Sequence, residues 1–374
     1  MSEKRIYLSS PHMGGGEQKY IQEAFDTNWI APLGKNVDEL ENICAKFVGK
    51  GYGAATVSGT SAIHLALKLC GLSEGDTVIC SDFTFMGSCD GVMYEKATPV
   101  FVGSEKDTLN MSPEHLDSAL KAAKKKGKLP KAIIIVDLYG TAADYDKLLP
   151  VADSYGVPVI EDAAEAFGGS YKGKKLGGFG KYSILSFNGN KIITASGGGM
   201  LLTGDKADAD KAKFWSTQSR EKAVWYEHRE VGYNYRLSNI CAGIARGQME
   251  VLEKRVAQKK AIHARYAEAF KSSALHIFMP PRGDSNYWLS VGVIDKSSKV
   301  KFTDIIDALA ARNIESRPLW KPMHLQPLFA GCEYYGDGLE EDAFSRGICL
   351  PSDTKMTEEE QMRVIETVKG ALGE

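Results

Sequence analysis

"KAIIIVDLYGTAADYDKLLPVADSYGVPVIEDA" spans residues 131–163. It opens on a continuous apolar run, "KAIIIVDLYG" (131–140), which reads as a strand buried on both faces. "DYDKLLPVADSYG" (144–156) follows as a helix ended by glycine. "VPVIEDA" (157–163) is a second apolar strand. Non-alternating strands separated by helices imply a mostly parallel sheet with helices on both faces.

The same alternation extends outward, from about Gly16 to Leu202. Helices are expected over Glu17–Asn28, Val37–Phe47, 60–71 and 85–95. Ser112 as N-cap and Pro113 at the first helical position open another, over 112–126. Strands are expected over 54–58, 76–81 and 98–103. The pattern changes after Arg236. Residues 238–271 form one long amphipathic stretch, expected as a linking helix. A strand (287–294), a helix (302–314) and a last helix (Thr357–Leu372) suggest a smaller α+β domain. The division expected is 1–245 for the large domain and 246–374 for the small one.

Lys+Arg total 46 and Asp+Glu 48, so the formal net charge of −2 offers no basic field for nucleic acid or a membrane surface. No run of 18 apolar residues occurs, and "MSEKRI" does not lead into a signal-peptide core. The seven cysteines are scattered without C-x-x-C, which fits free thiols in the cytoplasm. The histidines have no ligand spacing, so no metal is expected.

Chemistry concentrates in "SFNGNKIITASGGGML" (186–201). Lys191 lies between two apolar strand patterns. Partial desolvation there would make its amine usable for a Schiff base, including one with pyridoxal phosphate (PLP). That cofactor needs an acid at its pyridine nitrogen. Asp162 ends a strand, where ligands of open α/β sheets bind. Gly59, Thr60 and Ser61 lie between a strand and a helix, and their N–H and hydroxyl groups suit a phosphate. Phe85, at the next strand end, offers a face for the ring. Each residue also has an ordinary reading: surface lysine, turn aspartate, helix cap. A nicotinamide dehydrogenase would need G-x-G-x-x-G after its first strand, and "VSGTSAIH" stands there instead. A non-catalytic binding protein on the same fold stays open.

In combination, "SGTSAIHLAL", "FTFMGS", "VIEDAAEAFGG", "SFNGNKIITASGGGML" and "GYNYRLSNICAGIARGQM" resemble the DegT/DnrJ sugar aminotransferases over essentially the whole chain. The resemblance implies the aspartate-aminotransferase architecture, PLP fold type I, and PLP as cofactor. Within the family, "NWIAPLG", "STQSRE" and "IESRPLWKPMH" are similar to bacterial enzymes of the bacillosamine-pathway type. These aminate C4 of a UDP-linked 4-keto-6-deoxy-N-acetylhexosamine, with L-glutamate as donor and 2-oxoglutarate as by-product.

Carried over by motif, Lys191 becomes the cofactor-linked lysine and Asp162 the pyridine partner. Phe85 stacks on the ring, and Thr60, Ser61 and Ser186 hold the phosphate. Asn234 reaches the phosphate of a neighbouring subunit, which implies a homodimer with shared sites. Glu165 stands where the family usually has Gln or His, beside the cofactor's phenolic oxygen. Related sugar dehydratases carry histidine in place of Lys191, which argues against dehydration. The diphosphate calls for basic groups at the mouth, with Arg220, Arg229, Arg236, Arg317 and Lys321 as candidates. Trp320 and His324 could pack on uracil or sugar.

Overall fold

Strand follows helix because the apolar runs are too short and too uniformly buried for anything else. Ile133–Val136 and Val159–Asp162 are buried at every position. The computed structural model describes residues 3–374. In it the strands form an eight-stranded sheet in the order Tyr52–Thr56, Gly199–Thr203, Tyr182–Ser186, Val159–Asp162, Ile133–Val136, Thr77–Ser81, Thr98–Val102, Tyr334–Tyr335. Neighbours from Tyr182–Ser186 onward pair in parallel. Gly199–Thr203 runs antiparallel to both of its neighbours. The sheet is therefore mostly parallel, with an apolar cluster on each face.

A second, antiparallel sheet orders Leu275–Ile277, Ser290–Ile294, Gly347–Leu350 and Arg317–Pro318. Its apolar core gathers Ile262, Tyr266, Phe270, Ile305 and Val364, and also Ile6 from the N-terminal segment. The chain thus passes between the sheets more than once: Ile6 packs with the second, and Tyr334–Tyr335 adds an edge to the first.

The stretch 238–271 is not one helix. It divides into Asn239–Met249 and Leu252–Ala269, with Val251 at the break (φ −115°, ψ 4°). Packing dictates the break. The first piece lies close against Glu17–Asp26 through Gly247, where a Cβ would sit 2.6 Å from the Glu17 Cα. The second turns its Ile262 and Tyr266 into the other core. Continuing one axis would forfeit one of the two contacts. No helix among the described residues is long and apolar enough to cross a membrane.

Candidate active site

The C-terminal ends of the central strands open into a cavity of about 300 Å³. Strand Val159–Asp162 delivers Asp162 to its wall, buried. One carboxylate oxygen accepts the Ser88 hydroxyl at 2.7 Å, the other the Ala164 N–H at 3.1 Å. Burial raises its pKa above the usual carboxylate range, while those two bonds and the charge of Lys191 oppose the rise. Such a carboxylate is poised to receive a cationic partner from the cavity.

Lys191 projects from the turn after Tyr182–Ser186 and lines the same cavity. Its side chain is 12% exposed, and its ammonium lies 3.8 Å from Glu165 Oε1. Beneath it, 4.1 Å from the ring centroid, is Trp288. Glu165 is buried too, and burial raises its pKa, opposed first by Lys191. Its second oxygen accepts the Tyr139 N–H at 2.7 Å. This bond holds Tyr139 in a left-handed backbone conformation (φ 51°). The Tyr139 hydroxyl in turn accepts the Trp320 N–H at 2.8 Å. Glu165 therefore fixes a wall of the cavity as well as facing the lysine.

Opposite stands the N-terminus of helix Gly59–Leu69. Gly59 and Thr60 line the cavity with Ser186. Ser61 does not: its N–H and hydroxyl are bonded to the Ser58 side chain, at 3.0 and 2.8 Å. Ser58, the helix N-cap, lines the cavity instead. Gly199 allows the adjoining strand to approach, since a Cβ there would meet the Ser58 carbonyl at 2.4 Å. Phe85 is half exposed, within the cavity, and its ring lies 5.3 Å from that of Trp320.

A second cavity of about 630 Å³ adjoins the first across Phe85, Trp288 and Trp320, and Arg317 and Lys321 line it. Four of the residues expected to meet the substrate line neither cavity. Arg236 is buried, its guanidinium paired with Glu41 and donating to the Ala55 carbonyl at 3.1 Å, because Glu41 needs a counter-charge inside the fold. His324 has both ring nitrogens engaged, by Asp82 at 2.7 Å and Glu341 at 3.1 Å, and its face is stacked on Tyr334. Neither is available to a sugar nucleotide. Arg220 and Arg229 lie outside both cavities, against Tyr226 and Glu227. Asn234 is exposed, in a bridge to Thr217, and does not line its own chain's cavity.

Nothing in the sequence alone marks Ser88, Trp288 or Tyr139 as part of this site. Ser88 reaches Asp162 across 74 residues, and no local pattern marks it. Ser58 carried a signal, as a serine between strand and helix.

Residues 11–369 match the DegT/DnrJ/EryC1/StrS aminotransferase family. The chain belongs to this family. It is 53% identical to EpsN of Bacillus subtilis, which carries an assignment as a pyridoxal phosphate-dependent aminotransferase, over 98% of this chain and 95% of that one. It is 34% identical to GDP-perosamine synthase of Escherichia coli O157:H7, over 98% of both. A family aminotransferase from Brucella abortus superposes with a TM-score of 0.88 at 29% identity, covering 96% of this chain and 95% of that one. The protein is thus a PLP-dependent sugar aminotransferase of fold type I. The cavity fits the cofactor. It offers a guarded lysine, a buried carboxylate open to a cation, an aromatic face and a helix N-terminus with hydroxyls. The buried Trp320 Nε1 beside it has no partner of its own. Bound there, PLP supplies an aldehyde for the migrating amino group and an electron-withdrawing ring.

Proposed function

We propose that this aminotransferase moves the amino group of L-glutamate to C4 of a UDP-linked 4-keto-6-deoxy-N-acetylhexosamine, releasing 2-oxoglutarate. The carrying observation is Lys191, guarded and facing Glu165 in a cavity that also holds Asp162. Lys191 holds the cofactor at rest and, once freed, takes the proton from the donor's α-carbon. Asp162 keeps the pyridine nitrogen protonated. Gly59, Thr60 and Ser186 bind the phosphate, with Ser58 ordering their turn, and Phe85 supports the ring.

The adjoining cavity takes the sugar nucleotide. Trp320 offers a flat face there, and Arg317 and Lys321 offer charge for a diphosphate. The working unit is a homodimer in which Asn234 reaches the partner's phosphate. Its support is an exposed arm whose tip, Val224, Trp225 and Tyr226, is apolar and unburied on a single chain.

The test is incubation of the purified enzyme with glutamate and UDP-, GDP- and dTDP-linked 4-keto-sugars, with products identified by NMR. Exclusive use of the UDP-N-acetyl sugar supports the reading. Preference for a GDP sugar supports the second one, favoured by the likeness to GDP-perosamine synthase.

A further inference from the structure

Lys259, on helix Leu252–Ala269, is buried, and no reaction step uses it. Its ammonium donates to the Trp288 carbonyl at 2.9 Å and to the Ser9 hydroxyl at 3.2 Å. Asp353 favours its charge from beyond ion-pairing distance. A buried lysine with so little compensation is costly to the fold, which directs attention to what its two partners do.

Both partners converge on one atom. The Ser9 hydroxyl donates to the Asn190 carbonyl at 2.9 Å, and the Trp288 indole N–H donates to the same oxygen at 2.8 Å. Asn190 directly precedes Lys191, and the Lys191 ammonium rests over the Trp288 ring. The peptide entering Lys191 is thus held by two donors, and Lys259 bonds both residues that supply them: Ser9 at the donating hydroxyl itself, Trp288 at its backbone carbonyl. The N-terminal segment, the second sheet and the lysine turn meet at this point.

We propose that Lys259 is a positioning residue: by holding Ser9 and Trp288 against the Asn190 carbonyl, it aims Lys191 into the cavity. The inference rests on Lys191 being the cofactor-binding lysine. Lys259→Met keeps an unbranched side chain only one atom shorter and removes its donors and charge. With the Ser9 hydroxyl freed and the Trp288 carbonyl unbonded, the Trp288 backbone keeps only its N–H bond to Asn286 Oδ1 at 2.8 Å and its packing, and the Lys191 turn gains freedom to sample other orientations. Misplacement of a reacting group by about 1 Å can cost on the order of a hundredfold in rate.

The experiment uses the full chain stripped of cofactor. Pyridoxal phosphate is added, and the visible band and the borohydride-fixed mass increase are followed in time. For K259M the expected result is attachment slowed by about tenfold or more, with a thermal midpoint equal to or above wild type, since a buried charge has gone. Lowered thermal stability with attachment at the wild-type rate overturns the proposal. If K259M does not fold, Ser9→Ala and Trp288→Phe decide, since each removes one donor to Asn190 and leaves Lys259 in place. Slower attachment in both supports the role, and wild-type rates in both overturn it. A Lys191→Ala control separates the two readings. Attachment that survives it overturns the lysine assignment. Attachment lost in it, yet at wild-type rate in K259M, overturns only the role of Lys259.

Discussion

Lys191 Nζ lies 3.8 Å from Glu165 Oε1, and the other oxygen of the same carboxylate accepts the Tyr139 N–H. One acidic side chain therefore serves two ends. A glutamine here could accept from Tyr139, but it would turn an N–H₂ toward the lysine. The carboxylate changes the charge beside Lys191 while leaving the wall intact.

Glu165→Ala should therefore destabilise the cofactor-free protein by about 1–3 kcal/mol, because the Tyr139 N–H is left buried without an acceptor. Glu165→Gln keeps that acceptor and should stay within about 1 kcal/mol of wild type. Urea unfolding of both variants measures the difference. Equal losses would show that the carboxylate's charge, and not its bond to Tyr139, holds the wall.

Arg236→Ala should be among the more damaging single changes, although its side chain lines neither cavity. It strands Glu41, which is buried on helix Lys35–Val48. Removing one partner of a buried pair typically costs about 3–5 kcal/mol. Lys213 also pairs with Glu41, at 2.6 Å, and Ala55 donates its N–H at 2.8 Å, so the lower end of that range is expected. The double variant E41Q R236M, which leaves only the solvent-accessible Lys213 without its partner, should recover much of the loss. A double variant no better than R236A would contradict the pairing argument.

The strands, the helices around 112–126 and 144–156, and the placing of Lys191, Asp162 and Phe85 near one another were legible because they follow from local pattern. Apolar runs declare buried strands, and a parallel sheet brings strand ends together. What stayed hidden depends on partners distant in sequence. "YNYR" does not show that Arg236 answers Glu41, 195 residues away. The charge of "QKKA" does not separate buried Lys259 from Lys260, which reaches outward to pair with Asp284. The periodicity of 238–271 is continuous in sequence, yet Gly243 and Gly247 commit its first half to a neighbour that its second half leaves behind.

Lys259 should also leave a mark on the pH dependence of stability. An unfolded lysine keeps its proton to about pH 10.4. Burial lowers the folded value to about 7, with Asp353 opposing. Between those values the unfolded chain binds more protons, so this group's contribution makes stability rise with pH, at up to about 1.4 kcal/mol per unit. Below the folded value both states are charged and the penalty is present in full. The difference in unfolding free energy between Lys259→Met and wild type should therefore shrink steadily as pH climbs from neutral into the alkaline range. A difference that does not change with pH would mean that Lys259 remains protonated throughout.

Asn234 has neighbours that aim it away from its own cavity. Tyr233 and Tyr235 are drawn inward on either side of it, toward Glu95 and His64, with contacts of 3.2 Å in each case. The side chain between them is exposed. If it serves a partner's phosphate, Lys191→Ala and Asn234→Ala homodimers should each be impaired, but through different chains. Subunit exchange of an equal mixture makes half the dimers mixed. Each mixed dimer then carries one doubly damaged site and one intact site, so activity should rise to about a quarter of wild type. If Asn234 acts within its own chain, a mixed dimer joins one site lacking the lysine to one lacking the asparagine. The mixture then shows only the mean of its parents. Native mass spectrometry confirms that mixed dimers have formed, and a rate measured on that same sample decides between the two arrangements.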